Sequence, residues 1–229
     1  MNYPDLFKQP FIQIAGFRDI DEARMILRAG ADFLGIPLRL DFHSPDVSEA
    51  DAREIISELN APMQIVLITY LDKSSDIVSL CNFLGVNIIQ LHGPVNRHEI
   101  EKARMIIPQL SVIKSLIVNK TSDKLLGEVA EFSEVIDAFI TDTYDPATGA
   151  SGATGKTHDW AISREICRFS NKPVILAGGF TPENVEEAIC FVKPAGVDVH
   201  TGVEDSTGKK DLHKVSQFIK NARDAFRGL

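Results

Sequence analysis

The sequence predicts an α/β fold, a single-domain (β/α)8 TIM barrel with eight parallel strands. Three observations predict it. Short apolar runs alternate with amphipathic stretches, eight of each, along 229 residues. The runs are apolar nearly throughout, as strands are when a parallel sheet is covered by helices on its faces. Eight βα units are the number that closes a barrel, which typically takes about 250 residues. An open doubly wound sheet is the alternative compatible with the same alternation. No linker or shift in composition divides the chain, so residues 1–229 read as one barrel domain.

Strand one is expected over 11–15 and helix one over 19–29, with Gly30 as its stop. Strand two covers 32–36. Helix two, 48–59, starts on Ser48 with Asp51 three residues on, the spacing of a reciprocal cap. Strand three, 63–69, leads to helix three, 75–84, which Gly85 ends. Strand four at 87–91, helix four at 97–107, strand five at 111–116 and helix five at 122–131 continue the period. Strand six, 136–141, is followed by the longest non-periodic stretch, 142–159, DTYDPATGASGATGKTHD. A loop this long in a compact domain is usually functional or mobile. Helix six covers 160–169 and strand seven 173–177. Helix seven, 182–191, has Thr181 as its expected N-cap and Pro182 at its first position. Strand eight, 195–199, and helix eight, 211–226, capped by Asp211, complete the set.

Composition bounds the partners. The chain is 44% apolar and 24% charged, ordinary for a soluble globular protein. Its net charge is −8 and no basic stripe is present, which argues against nucleic acid. The N-terminus has no apolar signal region, and no apolar run approaches the roughly 18 residues of a membrane span. Cys81, Cys167 and Cys190 are odd in number, far apart and without metal spacing, so they read as reduced core residues of a cytoplasmic protein. A monomer or a homodimer is expected.

In a barrel, chemistry sits on the loops that follow the strands' C-terminal ends. That rule selects Ala15–Gly16, Arg39–Pro45, Tyr70–Ser74, His92–Gly93, Lys114–Ser115, Asp142, Gly178–Gly179 and Asp198–Gly202. In LAGGFTPENV, 176–185, an apolar run stops on two glycines before a helix start. Those glycines serve either a tight strand-to-helix turn or an anion site lined by main-chain N–H groups. The loops after strands seven and eight are neighbours in a barrel, so Gly178 and Gly179 with His200, Thr201 and Gly202 form the candidate phosphate site. Asp142 ends the run AFIT, where partial desolvation would raise its pKa and suit it to act as an acid; a capping or ion-paired Asp is the plainer reading.

Several segments resemble phosphoribosylanthranilate isomerase: GADFLGI (30–36), IIQLHG (88–93), ITDT (140–143), GATGKTHDW (152–160), LAGGFTPENVEEAI (176–189) and GVDVHTGVEDSTGKKD (196–211). The likeness keeps motif order over nearly the whole chain. It implies the third step of tryptophan biosynthesis from chorismate, an Amadori rearrangement of a small phosphorylated metabolite without cofactor or metal. An acid protonates the ring oxygen, a base takes the C2′ proton, and an aminoaldose phosphate becomes an aminoketose. The resemblance places the acid at Asp142 and the phosphate at the GG turn and the turn after strand eight.

The sequence departs from that pattern in three places. Strand one reads QIAG, with Ala15 where the family has a Cys base. Loop two reads DFHSPDVS, without the Arg that holds the anthranilate carboxylate; Arg39 lies earlier. The strand-eight turn reads VHTG, with His200 in place of a small residue. His200 and His43 are the candidate replacement bases by pKa. His200 is expected at the phosphate end and His43 in a mobile loop, so weak or absent activity on the family's usual substrate is the expectation. His92 either contacts substrate or is satisfied by main chain. Asp198 either points inward and holds the phosphate turn by its N–H groups, or is purely structural. Lys156 reads as a loop charge, and Cys81, mid-helix, cannot replace the missing Cys. A paralogue acting on another phosphorylated sugar as isomerase, epimerase or lyase, and a non-catalytic phosphometabolite binder, remain alternative readings.

Overall fold

The computed structural model describes residues 6–7, 10–41, 44–118, 122–143 and 159–229. Eight parallel strands close in sequence order: β1 Phe11–Ala15, β2 Phe33–Pro37, β3 Ile65–Thr69, β4 Ile88–Leu91, β5 Ser111–Ile117, β6 Ala138–Asp142, β7 Val174–Leu176 and β8 Gly196–Val199. Eight helices alternate with them: α1 Ile20–Arg28, α2 Glu49–Leu59, α3 Ser74–Leu84, α4 Arg97–Ile106, α5 Ser122–Phe132, α6 Trp160–Phe169, α7 Val185–Val192 and α8 Leu212–Arg227. The closed barrel answers the choice against an open sheet. β1 pairs with both β2 and β8, so neither terminal strand has a free edge.

Local chemistry explains most boundaries. Ser48 accepts from the Asp51 N–H and Asp211 from the Lys214 N–H, so α2 and α8 begin on the expected caps. Gly85 ends α3 in the left-handed region at φ 73°, as its missing Cβ permits. Helix seven differs from the reading by Thr181 and Pro182. It starts at Val185 with Asn184 as its cap residue, and Thr181 instead accepts from the Glu183 N–H in the preceding turn. The reason is tertiary: Asn184 bridges the Thr181 N–H and the Gly179 carbonyl, which holds 181–184 as a turn.

Two cores follow from the period-two strands. Outward residues pack against the helices, and inward residues such as Ile113, Ile140 and Ile175 fill the barrel. Phe7, Phe11 and Phe33 close its N-terminal end, with the Phe11 and Phe33 rings edge to face at 5.2 Å. The cysteines do not all belong to the core. Cys81 is buried and Cys167 half-buried, but Cys190 is exposed. Val185, Ala188, Ile189 and Val192 form the buried face of α7, and position 190 falls outside it. Burial pushes the Cys81 and Cys167 thiols up to about 12, away from reactivity. No helix among the described residues is long and apolar enough to cross a membrane.

Candidate active site

On β6, Ala138 and Ile140 point into the barrel, and the next inward step is Asp142. Asp142 is 5% exposed. Burial pushes its carboxyl from an ordinary 3.8 up to about 7, although the N–H and hydroxyl of Thr143 pull it down. The Thr143 N–H donates to Oδ1 at 2.7 Å. A carboxyl in that range is half-protonated near neutrality, which suits a proton donor.

His92 follows β4, with Nε2 3.6 Å from Asp142 Oδ2. Its Nδ1 lies 2.9 Å from Ser115 Oγ and 3.3 Å from Gln90 Nε2. Gln13 Nε2 donates to Gln90 Oε1 at 3.1 Å and so orients that amide to donate toward His92. On this assignment Nδ1 accepts, and the neutral ring carries its proton on Nε2, toward Asp142. The Tyr70 ring packs on the imidazole at 5.3 Å. His92 is thus held by side chains of the barrel interior, with Nε2 facing Asp142.

Asp198 points inward beside Gln13 of β1. Its Oδ1 is buried without a hydrogen-bond partner among the described residues. Burial first, and the nearby Asp142 carboxylate second, push it up to about 7. Gln13, hydrogen-bonded to the carboxyl, and Lys210 work in the opposite direction. The bond expected from Asp198 to the β8 turn is absent among the described residues.

Asp142, Asp198, Gly178, Gly179, His200, Thr201 and Gly202 line one cavity of about 30 Å³ at the C-terminal mouth. Gly178 and Gly179 have φ of 102° and 64°, a pair that side-chain-bearing residues rarely adopt. Neither glycine N–H donates to a main-chain carbonyl among the described residues. A Cβ on Gly202 would stand 1.7 Å from the Phe180 carbonyl oxygen, so the β8 turn lies directly on the β7 turn. The chain then enters a single 3₁₀ turn, Thr201–Val203, whose first N–H groups have no partner within the turn.

The remaining predicted residues lie around that cavity. Ala15 ends β1 with its methyl inside the barrel. Arg39 does not join the site: its Nε and Nη2 hold Glu49 at 2.8 and 3.2 Å on the surface. His43, Lys156 and most of the 142–159 loop lie outside the described residues. His200 lines the cavity with the glycine turns, and its ring also reaches the turn after β1. A Cβ on Gly16 would come 2.3 Å from its Nε2. Sequence reasoning missed Asp46, whose Oδ2 is 3.5 Å from His200 Nε2, and Asn184. Asn184 left a usable signal, an amide side chain in the turn five residues after Gly179. Asp46 left none, because its partner is remote in sequence.

The profile of N-(5'phosphoribosyl)anthranilate (PRA) isomerase matches residues 12–221. N-(5'-phosphoribosyl)anthranilate isomerase 2 of Methanosarcina mazei is 38% identical over 216 residues, 94% of this chain and 95% of the relative. The phosphoribosyl anthranilate isomerase structure from Thermotoga maritima is 30% identical, with a TM-score of 0.77 over 94% of this chain and 100% of that one. A further isomerase structure, 28% identical with a TM-score of 0.75 over 94% and 100% of the two chains, is a complex with reduced 1-(o-carboxyphenylamino)-1-deoxyribulose 5-phosphate. With closed-barrel topology, the inward carboxyl of β6 and a profile match across nearly its whole length, the chain belongs to the phosphoribosylanthranilate isomerase family.

Proposed function

We propose that this chain isomerises phosphoribosylanthranilate to its aminoketose in tryptophan biosynthesis, with Asp142 as the acid. The observation that carries the reading is the dry carboxyl of Asp142, protonated in part near pH 7, in one cavity with the β7 and β8 turns. Asp142 protonates the furanose ring oxygen. The C1′–O bond breaks with its electron pair on that oxygen, while the nitrogen lone pair forms C1′=N. Loss of the C2′ proton gives the enol, and its tautomerisation gives the ketone. The main-chain N–H groups of Gly179 and Gly202 hold the phosphate, and no metal or cofactor takes part.

The test is a direct assay of the purified protein with phosphoribosylanthranilate, beside complementation of a tryptophan auxotroph lacking the isomerase. Turnover and growth are expected, as is micromolar or tighter binding of the reduced product analogue. Absence of turnover across pH 5.5–9 overturns the reading. Tight binding of the analogue in that case marks a phosphometabolite-binding protein.

A further inference from the structure

The rearrangement needs an acceptor for the C2′ proton, and the methyl of Ala15 at the end of β1 cannot serve. We propose that His200, oriented by Asp46, is the base, reaching over the end of β1 from the neighbouring strand. The assignment rests on the isomerase reading above. Strand register carries it first. Gln13 pairs with Asp198 and Ile14 with Val199, so the next step sets His200 beside Ala15. Asp198 and Ala15 both point into the barrel, and His200 continues the inward alternation of β8. The ring then lies against Gly16, where any Cβ would clash with it and with Asp46 Oδ2.

His200 and Asp142 line one cavity, so acid and base would approach one bound molecule from β6 and β8. Its Nε2 stands 3.5 Å from both Asp46 Oδ2 and Glu204 Oε1. A neutral ring therefore keeps its proton on Nε2, and Nδ1, without a partner among the described residues, is the acceptor. Burial works to raise the Asp46 carboxyl, but His200, Lys210 and Arg18 outweigh it and hold the group below its usual range. Asp46 is thus an anion beside the ring, the arrangement that fixes an imidazole's tautomer and stabilises its protonated form.

The main chain of residue 200 is equally fixed. Lys210 Nζ donates to the His200 carbonyl at 2.9 Å and to Glu204 at 2.7 Å. The Lys210 N–H donates to Glu22, whose other oxygen accepts the Arg18 N–H at 2.6 Å. These bonds tie the β8 turn to the β1 turn, the two walls that must keep their spacing. In the step itself, His200 Nδ1 takes the C2′ proton, the C2′–H pair forms C2′=C1′, and the C1′=N pair returns to nitrogen. The enol then gains a proton at C1′ and loses one at O2′. Solvent water carries the proton from His200 and returns one to Asp142, so the reaction is a net isomerisation.

The test is kcat and KM against pH for the natural protein, His200→Asn, Asp46→Asn, and Ala15→Cys combined with His200→Asn, with melting temperatures recorded. Asp46 and Glu204 face the ring at Nε2; Lys210 is bonded to Glu204, Arg18 and Lys210 act on Asp46, Glu22 holds the Lys210 N–H, and Asp142 and Asp198 line the same cavity as residue 200. The natural protein should lose kcat below the imidazole pKa and again as Asp142 ionises. His200→Asn should lower kcat by roughly 10²–10⁴-fold, leave KM within about threefold, and abolish the acid limb. Asp46→Asn should lose less, because the ring stays but no anion fixes its tautomer or stabilises its protonated form. A thiol at position 15 should restore part of the turnover lost in His200→Asn. A His200→Asn protein with natural kcat, or with raised KM alone, overturns the base and leaves the isomerase reading intact. A natural protein without turnover overturns both.

Discussion

Asp142 bears a proton near neutrality because it is dry, and that has a cost in stability. Its folded pKa, about 7, lies above the ordinary 3.8. The folded state therefore binds the proton more tightly, and the stability this lends is complete below about pH 4 and lost as pH rises toward 7. Asp142→Asn keeps the shape and carries no charge. It should lower kcat by roughly 10²–10⁴-fold while raising the melting temperature at pH 8, with the difference opening between pH 4 and 7. Melts across that range together with steady-state rates check it. A variant that keeps natural turnover would make Asp142 a structural carboxylate. The sequence marked this residue through its place at the end of an apolar run. It did not mark Asp198 as its electrostatic partner, because their proximity depends on β6 and β8 being drawn around the same cavity.

At the scale of elements, the site is a pair of turns pressed together. The β7 turn is held from behind by Asn184 on Gly179, and the β8 turn approaches it through Gly202. Gly202→Ala adds a methyl 1.7 Å from the Phe180 carbonyl, against backbone that cannot rotate away. The expected outcome is a destabilised protein, by about 1–3 kcal/mol, that binds inorganic phosphate and phosphorylated substrate more weakly. Denaturant melts and phosphate titration read the two effects. Binding at natural strength would show that the anion sits elsewhere. The paired glycines were legible because local backbone demands Gly. The late start of α7 was not, since Thr-Pro is a sound local cap signal that a tertiary bond overrides.

At the scale of the molecule, closure joins the two ends of the chain. Arg223 on α8 donates to the carbonyls of Pro10 and Gly30 at 3.1 and 3.3 Å and to Asp32 Oδ2 at 2.5 Å. The same Asp32 oxygen accepts the Ile12 N–H at 2.7 Å. One guanidinium thus clamps the starts of β1 and β2 onto the last helix, at the end of the barrel opposite the site. Arg223→Ala should cost about 1–3 kcal/mol, since it leaves partly buried acceptors without a donor. The denaturation midpoint should fall with an unchanged slope, and kcat should stay close to natural. An unchanged midpoint would mean that β1–β8 pairing alone holds the seam.

The amino-acid pattern carries the barrel, most helix ends, the inward carboxyl at the end of β6 and the glycine turns. Each of these follows from period, capping or backbone freedom, which act over a few residues. The missing Cys at Ala15 was equally plain, and it led to an expectation of weak or absent activity. What fills that vacancy depends on closure. Pairing of β8 with β1 brings His200 across Gly16, and the loop before α2 brings Asp46 to its side. No local signal announces such a meeting, because groups far apart in sequence become neighbours only when the sheet closes on itself.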